Sequence, residues 1–244
     1  MNAYRYLAQV YDSLMSDVDY PLWAQYLHGF LSKSGAKNVL EVSCGTGNVT
    51  FKLAALGYNI TAGDLSIEML KVAKQRNAKQ SAGVAFVRQD MRRIEVGNKV
   101  DAVVCACDGV NYIDEQGLAQ FTKSAFAALN PGGVLLFDIS SKYKLQSIMD
   151  GNVFFDEREQ TACIWKNTFD EALGTLTLDV TLFVQKGELF ERRHEKHIQY
   201  AHEAEPVTAS LKRAGFTKID VFDCFTHNPP TPQSQRLQFV CYKV

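Results

Sequence analysis

The chain has 244 residues, 26 basic against 27 acidic side chains, a formal charge of −1 and 46% apolar residues. That is enough for one substantial core, or one core with a smaller appended piece, and it excludes a disordered or collagen-like chain. No apolar run approaches the roughly 18–20 residues that span a bilayer, the first residues lack a secretory leader, and the balanced charge offers no broad basic field. A soluble cytoplasmic protein is therefore expected, with no membrane partner, nucleic acid disfavoured and the oligomeric state open.

Tyr4-Arg5-Tyr6-Leu7-Ala8 and Val10-Tyr11-Asp12 are apolar at helical spacing. Asp19-Tyr20-Pro21 reads as a cap with proline in the first turn, and Trp23, Tyr26, Leu27, Phe30 and Leu31 continue a helix to Ser34-Gly35. Val39-Leu40-Glu41-Val42 is a short strand leading through Ser43-Cys44-Gly45-Thr46-Gly47-Asn48 to a helix that Gly57 closes. Asn59–Asp64 is a second strand, and Ser66 opens the next helix. The alternation continues with Val84–Val87 before Asp90, Val100–Ala106 before Asp108, a helix at about Leu118–Leu129, and Gly133–Asp138. Strands alternating with helices imply a parallel sheet covered on both faces.

Beyond Ser141 the pattern changes. Cys163–Asp170, Thr175–Val184 and Leu189–Tyr200 read as an antiparallel meander, with Leu176, Leu178, Val180, Leu182 and Val184 on one buried face. A helix from Glu205 to Gly215 and two closing strands, Phe216–Cys224 and Leu237–Val244, complete the chain. The six cysteines show neither Cys-x-x-Cys nor zinc spacing and read as small buried hydrophobes, with Cys105 and Cys107 on the same side of one strand.

Gly45 and Gly47, between a buried strand and a helix, suit either a tight turn or the close approach of a ligand. More informative is the acid at or just after each of the first four strands: Glu41, Asp64, Asp90 and Asp108. In an open α/β sheet, ligands bind beyond the carboxyl ends of the strands. Four acids there suit a ligand with hydroxyls, amines and positive charge, and they repel a diphosphate. A nicotinamide-dependent oxidoreductase is the alternative. It calls for Gly-x-Gly-x-x-Gly/Ala, whereas Thr50 occupies the third position and would crowd helix–strand packing. A phosphate-binding Gly-Lys-Ser/Thr loop is absent.

The run Val39–Asn48 resembles the first motif of class I S-adenosylmethionine-dependent methyltransferases. Asp64-Leu65-Ser66 with Glu68-Met69-Leu70 resembles their second, Gln89-Asp90-Met91 their third, and Leu129–Gly133 the motif before their fifth strand. The match is ordered and covers about residues 38–140. The opening Tyr4 to Trp23 is similar to a bacterial small-molecule-type subgroup. One departure is Ser43, where the family's first motif usually has glycine.

The resemblance implies a Rossmann-like, mostly parallel seven-stranded sheet with helices on both faces. A helical cover at 1–34 and an antiparallel β insertion at 142–203 would accompany a cofactor domain made of 35–141 and 204–244. It implies S-adenosyl-L-methionine as cofactor, with Asp64 accepting the ribose hydroxyls and Asp90 the adenine amino group. Leu65 and Met91 would pack on the ring, Ser43, Cys44, Gly45, Gly47 and Asp108 would hold the methionine end, and Glu41 would order the loop. The acceptor is expected to be a small molecule held under the insertion; a non-catalytic cofactor-binding protein is the remaining alternative.

Tyr11, Tyr112 and His197 are the substrate-side candidates. His197, or His227 in the late loop, could serve as a base, although an exposed polar position is the plainer reading; Arg192, Arg193 and Lys196 read as solvated strand residues, and Trp23 reads as core. His194, His197 and His202 are not spaced as metal ligands, and no metal is expected. Asn228-Pro229-Pro230-Thr231 lies between the last two strands, too late to be the amino-methylation motif it resembles. Asp12 is left between a solvated charge and a site residue.

Overall fold

The computed structural model describes residues 4–244. After a short 3-10 turn at Leu7–Gln9 come α1 (Tyr11–Leu14) and α2 (Tyr20–Lys33). The alternating part then follows: β1 (Asn38–Val42), α3 (Asn48–Ala55), β2 (Asn59–Asp64), α4 (Ile67–Gln80), β3 (Ala85–Arg88), β4 (Val100–Cys105), α5 (Glu115–Ala128) and β5 (Leu129–Ser140). Four strands come next, β6 (Val153–Arg158), β7 (Thr161–Asp170), β8 (Thr175–Lys186) and β9 (Leu189–Tyr200). The chain closes with α6 (Ala204–Ala214), β10 (Lys218–Asp223) and β11 (Arg236–Tyr242). Local chemistry starts the helices: Asp19 and Ser66, at the predicted positions, accept the Leu22 and Met69 N–H groups, while Asp114 accepts the Gly117 N–H and starts α5 ahead of the expected Leu118.

Seven strands form one sheet in the order β10-β11-β5-β4-β1-β2-β3. β1 to β5 are mutually parallel, whereas β11 runs antiparallel to β5 and β10. Period-two alternation sends Val39, Val104 and Leu136 to a core shared with α2 and α3, and Leu40, Val103, Leu135 and Phe137 to a core shared with α5 and α6. Both faces are dry, which is why these strands read as continuous apolar runs. The chain order reverses between β1 and β4, so the crevice beyond their carboxyl ends is the topological switch point.

The remaining strands make a separate antiparallel sheet in the order β6-β7-β8-β9. Leu176, Val180 and Leu182 are buried, as the alternation predicts, and the last two meet Leu7, Val10 and Leu14 of the N-terminal segment. The expected N-terminal cover therefore divides: α2 packs on the parallel sheet, while α1 and the turn before it pack on the second sheet.

Two expectations are corrected. Cys105 ends β4 and Cys107 has a left-handed backbone (φ 61°), so the two thiols do not share a strand face. Cys44, Cys105, Cys163 and Cys241 are buried, whereas Cys107 and Cys224 are partly exposed. Among the described residues no helix is long and apolar enough to cross a membrane.

Candidate active site

The switch-point crevice is a cavity of about 470 Å³. Its floor is the glycine turn after β1. Ser43, Gly45 and Gly47 all have left-handed backbones (φ 57°, 56° and 87°). A Cβ on Gly45 would project into open space, whereas one on Gly47 would lie 2.8 Å from the Phe51 ring. Gly47 is thus required by packing, and Gly45 leaves the backbone bare toward the cavity. Ser43 is the residue that departs from the family pattern; its Cβ and Oγ lie against Gly109, where any side chain would collide with them.

Asp64, the last residue of β2, fixes this turn. One carboxylate oxygen accepts the Gly45 N–H and the other the Ser66 N–H, each at 2.8 Å. Burial raises its pKa, opposed by those same peptide hydrogen bonds. Glu41 lies deeper, 2% exposed, and accepts the Thr50 hydroxyl at 2.6 Å. Thr50 therefore does not crowd the helix; it is the partner that anchors α3 to β1. Burial pushes the Glu41 carboxyl up to about 8, with the Thr50 hydroxyl opposing.

Asp90 follows β3 and starts a 3-10 turn, accepting the Arg92 backbone N–H at 2.9 Å and the Arg92 guanidinium at 2.6 Å. Those hydrogen bonds hold its carboxyl below the ordinary range. Leu65, 53% exposed, and the buried Met91 line the same cavity and give it apolar walls.

Asp108 lies elsewhere than expected. Left-handed backbones at Cys107 and Asp108 swing its carboxylate away from the glycine turn. It accepts Arg236 at 2.7 Å and Gln199 at 2.9 Å, and lines a neighbouring cavity of about 480 Å³. Tyr4, Tyr11, Tyr20, Cys107 and Tyr112 border both cavities, so the two adjoin. The second is walled by the N-terminal segment and the inner face of the second sheet, with His197, Lys144 and Arg236 among its polar groups.

His197 corrects the strand-face reading, since it is 3% exposed. It pairs in register with Leu178 and so shares the inward face of β9 with Glu195 and Gln199, under the N-terminal segment. Arg192, His194 and Lys196 do face solvent. His194 and His202 have other partners, Asp179 and the Ile113 carbonyl. Trp23 is buried as expected, yet its ring also lines the second cavity beneath the Arg236 guanidinium. Among the described residues no three His, Cys, Asp or Glu side chains converge as metal ligands.

Four residues carry parts of the site that sequence reasoning did not assign. Asp12 accepts Thr46 at 2.5 Å, Asn48 at 3.0 Å and Arg76 at 3.0 Å, which ties α1 to the glycine turn. Glu195 accepts peptide N–H groups of Tyr4, Tyr6 and Leu7. Arg236 joins Asp108 to the fully buried Asp138. A charge at the mouth of an apolar strand, as at Arg236-Leu237, was the one signal available for these.

The first cavity fits a cationic nucleoside. Its turn presents unobstructed backbone at Gly45, a ring face has Leu65 and Met91 to lie against, and its acids Asp64 and Asp90 favour positive charge and hydroxyl or amine donors, with the buried Glu41 behind them. Comparison with known proteins agrees. Residues 39–133 match a methyltransferase domain. The chain is 35% identical to YqeM of Bacillus subtilis (strain 168), provisionally named a methyltransferase, over 98% of this chain and 97% of that one. It superposes on a S-adenosylmethionine-dependent methyltransferase from Clostridium acetobutylicum ATCC 824 with a TM-score of 0.87, 29% identity and 99% coverage of both. The fold is shared with CalS10, an amino pentose methyltransferase from Micromonospora echinaspora solved with S-adenosylmethionine bound (TM-score 0.77, 20% identity, covering 100% of this chain and 99% of that one). The chain belongs to the class I S-adenosylmethionine-dependent methyltransferases and is an enzyme of that family, with S-adenosylmethionine as its cofactor.

Proposed function

We propose that this methyltransferase acts on a small-molecule acceptor held in the second cavity. The observation that carries the reading is the adjoining pair of cavities: the second borders the cofactor cavity along four tyrosines, and at about 480 Å³ it is sized for a metabolite. An acceptor embedded in a polymer would need an open groove, whereas this space lies between the second sheet and the N-terminal segment. The same fold in an enzyme named for an amino pentose is compatible with the proposal.

In this reading Asp64 binds the ribose hydroxyls with the lone pairs its two peptide contacts leave free. Asp90 takes the adenine amino group, sharing its carboxylate with Arg92, and Leu65 and Met91 enclose the ring. Ser43, Cys44, Gly45 and Gly47 hold the methionine end near the start of α3, where free N–H groups favour a carboxylate. Asp108 is reassigned to the acceptor side through Gln199 and Arg236. Tyr11 and Tyr112 stand at the boundary and align the acceptor. Residues 142–203 and the cover at 1–34 serve as the acceptor lid over a cofactor domain of 35–141 and 204–244.

When bound, the cofactor supplies a methyl group already activated on a sulfonium for in-line displacement. The protein contributes alignment and exclusion of water, worth up to about 7–11 kcal/mol in favourable cases.

The test has two arms. Asp64→Ala should weaken S-adenosylhomocysteine binding in calorimetry by about 100-fold, the loss of two hydrogen bonds to a charged group; unchanged affinity would refute the site. Incubation with methyl-labelled cofactor and a bacterial metabolite extract should place label in the low-molecular-weight fraction. Label confined to RNA or protein would refute the acceptor class.

A further inference from the structure

The second cavity contains a hydrogen-bond chain that cofactor binding does not use. Glu195 and His197 lie two residues apart on the inward face of β9, with side chains 3% and 2% exposed. Glu195 accepts the Tyr4 and Leu7 N–H groups, each at 3.1 Å, and that of Tyr6. Burial alone would raise its pKa, but hydrogen bonds from His197 and from the Tyr6 and Leu7 peptides hold it below the ordinary carboxylate range. A carboxylate that accepts this many N–H donors is ionised, and an ionised carboxylate only accepts.

That orients the histidine. Nε2 of His197 lies 3.1 Å from Glu195 Oε2, so Nε2 bears a proton, and in the neutral ring Nδ1 presents the lone pair. The Tyr112 hydroxyl lies 3.3 Å from Nδ1 and accepts from the Tyr4 hydroxyl at 2.7 Å. Every donor therefore points the same way, from Tyr4 to Tyr112 to His197 to Glu195. Tyr4 and Tyr112 border both cavities, and the Tyr4 oxygen retains capacity to accept. Asp108, Arg236 and Lys144 line the same cavity, but they bond to one another's neighbours, Gln199, Asp138 and Ser140, rather than to the imidazole.

We propose that this chain is the proton outlet of methyl transfer: His197, reached through Tyr112 and Tyr4, takes the proton that the acceptor loses. The acceptor is then a hydroxyl or an amine that still carries a proton when it attacks, not a thioether or a tertiary amine. In the step, a lone pair on the acceptor oxygen or nitrogen forms the bond to the methyl carbon, its O–H or N–H bond breaks, and the pair of that bond stays on the acceptor atom as the proton leaves. The electron pair of the broken sulfur–carbon bond stays on sulfur. The acceptor proton passes to Tyr4 as the Tyr4 proton moves to Tyr112 and that of Tyr112 to Nδ1, leaving an imidazolium beside the Glu195 carboxylate. Tyr4 is the group that touches the acceptor, and Glu195 is a positioning residue. The proposal rests on the acceptor occupying the second cavity.

The test begins with protein labelled with 15N in its five histidines, with His197 assigned by its disappearance in His197→Gln. At neutral pH the His197 spectrum should show a protonated Nε2 and a bare Nδ1. Tyr112→Phe, which removes one oxygen and keeps the ring, should shift Nδ1 alone. Glu195→Gln should abolish the tautomer preference. In parallel, His197→Gln, whose side chain lines only the second cavity, should bind S-adenosylhomocysteine like the wild type, and Tyr112→Phe keeps the ring that borders both cavities. Both should transfer label to low-molecular-weight acceptors in the metabolite extract about 100-fold or more slowly, the contribution expected of a general base. A protonated Nδ1, or wild-type transfer by both variants, would overturn the relay. Failure of the wild type to label any low-molecular-weight acceptor would instead overturn the acceptor reading, and the tautomer would still decide the direction of the chain.

Discussion

Glu41 shows how a buried strand residue becomes sensitive to pH. Its neighbours along β1, Val39, Leu40 and Val42, are each about 1% exposed, and the carboxyl among them is pushed up to about 8 from an ordinary 4.5. The folded protein therefore keeps a proton that the unfolded chain gives up. The associated stability is complete below pH 4.5 and is lost as the pH rises through 8, because the unfolded state binds fewer protons over that window. Glu41→Gln is nearly isosteric, keeps an acceptor for the Thr50 hydroxyl and cannot ionise. Urea unfolding of both proteins between pH 4.5 and pH 8 should show the wild type losing on the order of 4–5 kcal/mol relative to the variant. A constant difference across the window would show that Glu41 is ionised when folded.

At the scale of elements, α1 has four residues, too few to be helical alone. Three ties hold it: Leu7, Val10 and Leu14 against the second sheet, Glu195 on the peptides before it, and Asp12 on the glycine turn. Arg76 of α4 secures the third, donating to Asp12, to the Thr46 carbonyl and to Asn48 while lying over the Phe51 ring. Asp12 and Arg76 are both partly exposed, so solvent screens the pair and its loss is worth about 1 kcal/mol. Arg76→Ala should accordingly speed amide exchange of residues 7–14 about 5-fold with little change elsewhere; unchanged exchange would mean that the apolar contacts alone hold α1. The elements also mark how far the sequence could be read. β1, β2, β4 and β5 were legible because their side chains are mostly buried, and the first three are each followed by a helix. β6 was not, because Val153 and Phe155 face solvent and break the expected alternation. The π-helical turn at Lys144–Met149 left no periodic trace. The strand-end placement of Glu41, Asp64 and Asp90 was legible, and these three line the first cavity. Asp108 was legible as a strand-end acid, but its orientation depends on two left-handed residues that no pattern announces. His197 was read as exposed because Glu195, His197 and Gln199 are polar at alternate positions; what buries them is a segment about 190 residues earlier in the chain.

Across the whole molecule, these contacts form one route from the first cavity to the second. The Asp64 carboxylate grips Gly45, the adjacent Thr46 donates to Asp12, and the N-terminal segment ends on Glu195 in β9. A second connection runs from Arg236 at the start of β11 to Asp138 on β5 and Asp108 after β4, and from Asp108 through Gln199 back to β9. The second sheet is therefore joined to the first through hydrogen bonds that begin at the glycine turn or end at the strand tips. A ligand that immobilises the turn removes freedom from the N-terminal segment, and that segment covers the inward face of β9. Hydrogen exchange with saturating S-adenosylhomocysteine should thus slow amides in three places: 43–48, 7–14 and the part of β9 around Glu195 and His197, although the last is not in contact with the nucleoside. Within the cooperative segments, protection should exceed the direct contact zone because local opening of α1 requires breaking the Asp12 tie. Protection restricted to 43–66 and 88–92 would show that the N-terminal segment and the second sheet move independently of the cofactor. It would remove the proposed lid at 142–203 while leaving the nucleoside site intact.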